Sequence, residues 1–247
     1  MKFLLVIFLL AYSVTAHAQK DESASPGRKK VEAAYQYQAQ LADSTITIDE
    51  VIANWRDVAA DKDVRKDADA LAIAFGSEGL LELQKGAKLR ADSLLAKGVS
   101  LFRLKHSKAY FLVALAELDR ELKHYSRAMK SYDEILNSMD SMPELWDIEF
   151  YRLSGYAPYA YSIDAALGVG RIAKADAQYR KQATELLNSS FERHPNDAAG
   201  LMDLVALHHF GAIKDADYKF KIDVMCSRKP ELRKISEACE KEIRTAK

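Results

Sequence analysis

The chain has 247 residues, and its 36 Lys and Arg balance its 36 Asp and Glu. Near-neutral charge with both signs interspersed excludes a nucleic-acid binder, which needs a basic face to neutralise phosphates. The same even distribution leaves no basic amphipathic segment of the kind that lies on membranes.

At the start, Lys2 precedes the apolar run FLLVIFLLAYSV and then AHAQ. A basic residue, a short apolar core and small residues at alternate positions make residues 1–18 a secretory signal peptide, with cleavage expected after Ala18. The run is shorter than the roughly 20 apolar residues needed to span a bilayer, so no stable membrane insertion is expected after cleavage. The mature chain is expected to be periplasmic or secreted. Loss of Lys2 leaves 35 basic against 36 acidic side chains, a charge of −1, on a chain long enough to bury a core unaided.

The polar, breaker-rich stretch DESASPGRKK reads as the body of a flexible leader over residues 19–30. A single helical domain is expected over residues 31–247. It opens with a helix through VEAAYQYQAQLA, and Thr47 three residues before Glu50 then forms a capping box. Val51, Ile52, Trp55 and Val58 follow at helical spacing. From there the chain reads as consecutive helices with short connections, and the fold class is all-α.

Long all-helical chains are tested for internal periods. Residues 109–142 place Leu112, Leu115 and Ala116 on one helix and Tyr125, Ala128 and Tyr132 on the next. Small residues let two helices approach, and tyrosines fill the groove to the neighbouring pair. Residues 72–105 echo this with Phe75, Gly79, Gly86, Ala91 and Leu95. Residues 161–197 do so with Leu167, Gly168, Ala183, Leu187, Phe191 and a closing Pro195. Residues 198–229 contribute Leu201, Leu204, Gly211, Ala216 and Phe220 before Pro230, and residues 230–246 form a polar capping helix. On these residues the chain resembles the tetratricopeptide-repeat (TPR) family over roughly residues 68–247. It departs in the third window, which carries about three residues beyond the 34-residue period, and no window shows the full motif.

The resemblance implies a TPR-like α-solenoid of stacked antiparallel hairpins, whose first helices line a concave groove for a peptide or protein and which has no chemistry of its own. Carried over position by position, it implies that Tyr110, Val113, Glu117 and Arg120 of the second hairpin, with Met202, Ala206 and His209 of the fourth, face that groove. Between the second and third windows, residues 143–162 crowd Trp146, Phe150, Tyr151, Tyr156, Tyr159 and Tyr161 around Gly155 and Pro158. Aromatic rings with polar tips supply large contact area at low entropy cost, so this insertion is a second candidate binding surface, with packing onto the body as its other reading.

Cys226 and Cys239 are available for a disulfide in an oxidising compartment. If Cys226 ends one helix and Pro230 starts an antiparallel one, Cys239 lies roughly 13 Å from the turn, whereas bridged Cα atoms lie within roughly 7 Å; the pairing is left open. No catalytic constellation is expected. His208 and His209 are adjacent and so face different directions on a helix, the GVG at 168–170 lacks the further Gly and Lys of a phosphate loop, and Glu78 with Glu82 reads as a solvated face. No cofactor is expected. The expected function is a protein-binding scaffold or adaptor of the envelope. The alternative is a solute- or lipid-binding helical protein accessory to a transporter, which would enclose a small apolar ligand.

Overall fold

The computed structural model describes residues 25–103, 105–138, 160–230 and 232–245. Residues 1–24, which include the expected signal peptide, and residues 139–159 lie outside the described residues. Among the described residues there are eleven α-helices and no strand. They are α1 Pro26–Ala39, α2 Ile48–Ala60, α3 Ala68–Gln84, α4 Lys88–Leu101, α5 Lys105–Glu121, α6 Tyr125–Ser138, α7 Ala160–Ala175, α8 Arg180–Arg193, α9 Ala198–His209, α10 Asp215–Arg228 and α11 Leu232–Thr245. The chain divides into two compact units, Met1–Leu115 and Ala116–Lys247.

In the first unit, Ser25 caps α1 by accepting a hydrogen bond from the Arg28 amide at 3.2 Å, and Pro26 occupies the first turn. The described end of the expected flexible leader is therefore helical. Its anchors lie downstream: the Lys30 ammonium contacts Asp61 at 2.5 Å and Asp63 at 3.2 Å, and the Ser25 hydroxyl donates to Asp67 at 2.5 Å. The Thr47–Glu50 capping box is present in both directions. The Glu50 amide donates to the Thr47 hydroxyl at 3.3 Å, and the Thr47 amide donates to the Glu50 carboxylate at 2.7 Å, which holds that carboxyl below its ordinary value.

Helical spacing in α1, α2 and α3 turns Val31, Tyr35, Val51, Ile52, Trp55, Ala70, Ala74 and Leu81 into one core. Trp55 sits edge-on to Tyr35 at 4.9 Å and donates its indole N–H to Gln38 at 2.6 Å, so its only polar atom is satisfied within the core. Burying each large side chain of this set contributes about 2–3 kcal/mol. The turn between α3 and α4 passes through Gly86 at φ +84°, a conformation open to glycine. Beyond it the two helices come close: a Cβ on Gly98 would meet the Ala72 carbonyl at 2.8 Å.

In the second unit α7 packs against α6, α8 and α9, and α9 packs against α8, α10 and α11 as well. Both carry near-continuous apolar sequence, AALGVGRIA and AAGLMDLVAL, because each is covered on most sides. Tyr132 of α6 is fully buried against α7, and a Cβ on Gly168 would lie 2.2 Å from its ring carbon Cζ.

The fourth window departs from its expected register. Ala216 and Phe220 are exposed, Phe220 by 70%, while Tyr218, Ile222, Met225 and Cys226 turn inward. The cause is the turn through Gly211, at φ +80°, which delays the start of α10 to Asp215 and moves the inward stripe along by two residues. Helix α11 buries Leu232, Ser236 and Ile243 and packs on α9 and α10. Tyr218 donates to Glu240 of α11 at 2.6 Å. Cys226 is a buried free thiol; Cys239 lies on α11, with its side chain outside the described residues.

Candidate functional site

The positions expected to face a groove or to belong to the aromatic insertion lie in different surroundings. Tyr110 and Val113 are buried in the first unit. Glu117 and Arg120, at the end of α5, are partly exposed in the second unit, with 21% and 22% of their side chains open to solvent. Met202 and Ala206 are fully buried, because α9 is covered by α7, α8, α10 and α11, so neither can meet a ligand from that position. Tyr161, in the first turn of α7, and His209, at the end of α9, are partly buried. Trp146, Phe150, Tyr151, Tyr156 and Tyr159 lie outside the described residues.

Glu117 and Arg120 are joined by two residues that sequence reasoning did not place with them. Arg120 donates to Glu117 Oε2 through Nη2 at 2.7 Å and Nε at 3.2 Å. Tyr132 donates its hydroxyl to Glu117 Oε1 in a short hydrogen bond. Arg171 of α7 brings Nη1 to 3.9 Å from Glu117 Oε2, with 15% of its side chain exposed. Burial, reinforced by the neighbouring Glu117 charge, pushes the Tyr132 hydroxyl well above its ordinary value, so it stays protonated and donating. Burial alone would lower Arg120, but the hydrogen bond and charge of Glu117 outweigh it and hold the guanidinium above its ordinary value. The result is a polar cluster of two guanidiniums, one carboxylate and one hydroxyl, in which Glu117, Arg120 and Arg171 keep part of their side chains open to solvent while Tyr132 is fully buried. The sequence signal was Arg171 itself, a charge interrupting the apolar face of α7 one turn after Gly168.

Other polar clusters are structural. Glu78 and Glu82 are buried, which corrects the expectation of a solvated face. Glu78 accepts from Arg56 at 3.2 Å and Arg90 at 3.1 Å, and Glu82 pairs with Arg90 at 2.9 Å and Arg56 at 3.8 Å. The carboxylates thus tie α2 and α4 to α3. In the second unit the buried Asp119 pairs with Arg127 at 3.1 Å across the α5–α6 turn. His208 stacks on Tyr218 at 4.1 Å and meets Asp215 at 2.8 Å, which commits it to the α9–α10 connection. Asp203 of α9 is fully buried beside Ser190, and neither side chain makes a hydrogen bond of ordinary geometry; burial drives the Asp203 carboxyl well above its ordinary value.

Among the described residues no group of three or more His, Cys, Asp or Glu is placed to hold a metal ion, and no helix is long and apolar enough to cross a membrane. An open depression of about 330 Å³ lies between Arg180, Thr184 and Phe210 in the second unit. The gap between Tyr35, Ser77, Tyr110 and Phe111 in the first unit is about 10 Å³. No family model matches the chain, and neither the curated proteins nor the solved structures include one similar to it.

Proposed function

We propose that the protein is an exported, non-catalytic scaffold or adaptor of the cell envelope, a TPR-like array of hairpins that grips a segment of a protein partner. The observation that carries this reading is the packing order of the second unit. Helix α7 contacts its own hairpin partner α8 and also α9, the first helix of the next pair; α9 in turn contacts α10 and α11. Pairs that rest on their sequence neighbours are what a stacked-repeat array requires, and such arrays present extended surfaces for binding. The partly exposed Glu117, Arg120 and Arg171 supply polar specificity on this array, and the Tyr-rich segment 143–162 supplies aromatic contact.

The carrier alternative draws less support from the described residues. A lipid or solute needs an enclosed cavity of roughly 300 Å³ or more. The gap behind Tyr35 is about 10 Å³, and the larger depression beside Arg180 is open and edged by charge.

The test is cross-linked capture of the tagged protein from its own cells, with Tyr156→Ala plus Tyr159→Ala as the comparison. The proposal expects one protein in near-constant ratio, lost in the variant at unchanged thermal midpoint. A midpoint drop of several degrees would show instead that these rings pack onto the body. Amino-terminal sequencing of the same material should begin at Gln19; a chain that starts at Met1 in the cytoplasmic fraction would refute export.

A further inference from the structure

We infer that Arg171, flanked by Arg120 and the Tyr132 hydroxyl, is a receptor for a carboxylate group of a bound ligand. The inference rests on the reading of the chain as a binding protein and gives that reading a chemistry. Its starting point is an imbalance. Both oxygens of Glu117 are engaged, Oε1 by Tyr132 and Oε2 by two nitrogens of Arg120. Arg171 approaches that carboxylate only to 3.9 Å, beyond hydrogen-bond reach, and its Nε is buried without an acceptor. A guanidinium with five N–H donors therefore sits mostly out of water with a distant counter-charge, while 15% of its side chain remains open to solvent.

The surroundings narrow the ligand. Tyr132 lies against the α7 backbone at Gly168, one turn before Arg171, and its ring is fixed there by full burial. A planar carboxylate matches the guanidinium fork and needs only one compensating charge. A phosphate dianion would place a second negative charge beside Glu117, which already repels an incoming anion at this distance. The site selects a monoanion.

The experiment is a titration of the isotope-labelled full chain, following the Arg171 Nε–Hε resonance. Sodium acetate is added against sodium chloride at equal ionic strength. The expected result is a saturable shift with acetate at about 30 mM or below, the range of a weak single-group contact, and none with chloride. Glu117→Gln should tighten acetate binding severalfold, since it removes the repelling charge and releases Arg120. Arg171→Lys, followed on the Arg120 Nε–Hε resonance, keeps the charge and loses the fork, and should weaken it about tenfold.

Two further probes identify the source: an N-acetylated, C-amidated tripeptide with one Glu, and an N-acetylated tri-alanine with a free C-terminus. Tighter binding of either than of acetate assigns the carboxylate to a protein partner; equal binding of all three assigns it to a small acid. A shift that fails to saturate, an equal shift with chloride, or weaker binding by Glu117→Gln overturns the inference. If the titration fails while the Tyr156/Tyr159 pair still governs partner capture, the carboxylate receptor is wrong and the scaffold reading stands.

Discussion

The buried carboxylates of α3 permit a quantitative test of how the first unit holds together. Glu78 and Glu82 expose only 4% and 7% of their side chains, whereas Arg56 and Arg90 are about half exposed. Each arginine lies within ion-pair distance of both carboxylates, so Arg56→Met alone leaves Arg90 bound to Glu78 and Glu82, and Arg90→Met leaves Arg56 bound to Glu78 and 3.8 Å from Glu82. Each single variant should lose about 0.5–1.5 kcal/mol, the scale of a charge-assisted contact discounted for a partner that remains in water. The double variant strands two buried negative charges one turn apart on one helix and should lose about 3–5 kcal/mol, more than the sum of the singles. Urea unfolding followed by Trp55 fluorescence reports this unit, provided that Trp146, the second tryptophan of the chain, is first replaced by Phe. The control is Glu78→Gln plus Glu82→Gln, in which removing both arginines should cost under about 1 kcal/mol. Additive losses within about 0.5 kcal/mol, or an undiminished cost in the Gln background, would refute the shared-counterion account.

Three further outcomes follow from the second unit. The Asp203 carboxyl has its folded value raised above 3.8 by burial, so the stability it retains at low pH is lost as pH rises from its unfolded value through the folded one. Asp203→Leu should therefore gain on the natural protein as pH rises, reaching about 1–3 kcal/mol at pH 7 in urea unfolding; a variant less stable at every pH would contradict this. Gly168→Ala places a methyl group against the buried Tyr132 ring and should lower stability by about 1–3 kcal/mol, visible as a drop in thermal midpoint. Truncation after Lys229 removes Leu232 and Ile243 from α9 and α10 and should cause aggregation or loss of helical signal; a soluble, fully helical product would refute the capping role of α11.

Much of the local architecture was legible because it depends on near neighbours. Val51, Ile52 and Trp55 recur at helical spacing and are buried together, the Thr47–Glu50 box spans three residues, and Gly86 and Gly211 stand at turns with positive φ. What was misread depends on partners far along the chain. Glu78 looks solvated until Arg56, 22 residues before it, and Arg90, 12 residues after it, are brought beside it. Lys30 reads as leader because Asp61 is 31 residues away. The α10 register slipped because connection length is set by backbone geometry at Gly211, which a fixed repeat template does not carry. Of the candidate site, Glu117 and Arg120 were found on α5, but their junction with Tyr132 and Arg171 depends on how α6 and α7 pack.

The most direct test of the scaffold reading is native mass spectrometry of the protein purified gently from its own cells, with cross-linking omitted. The account predicts the processed chain in fixed ratio with one protein partner, separating when Tyr156 and Tyr159 are both replaced by Ala. A processed chain carrying instead a single small apolar molecule, with no protein attached, would contradict it and establish a carrier.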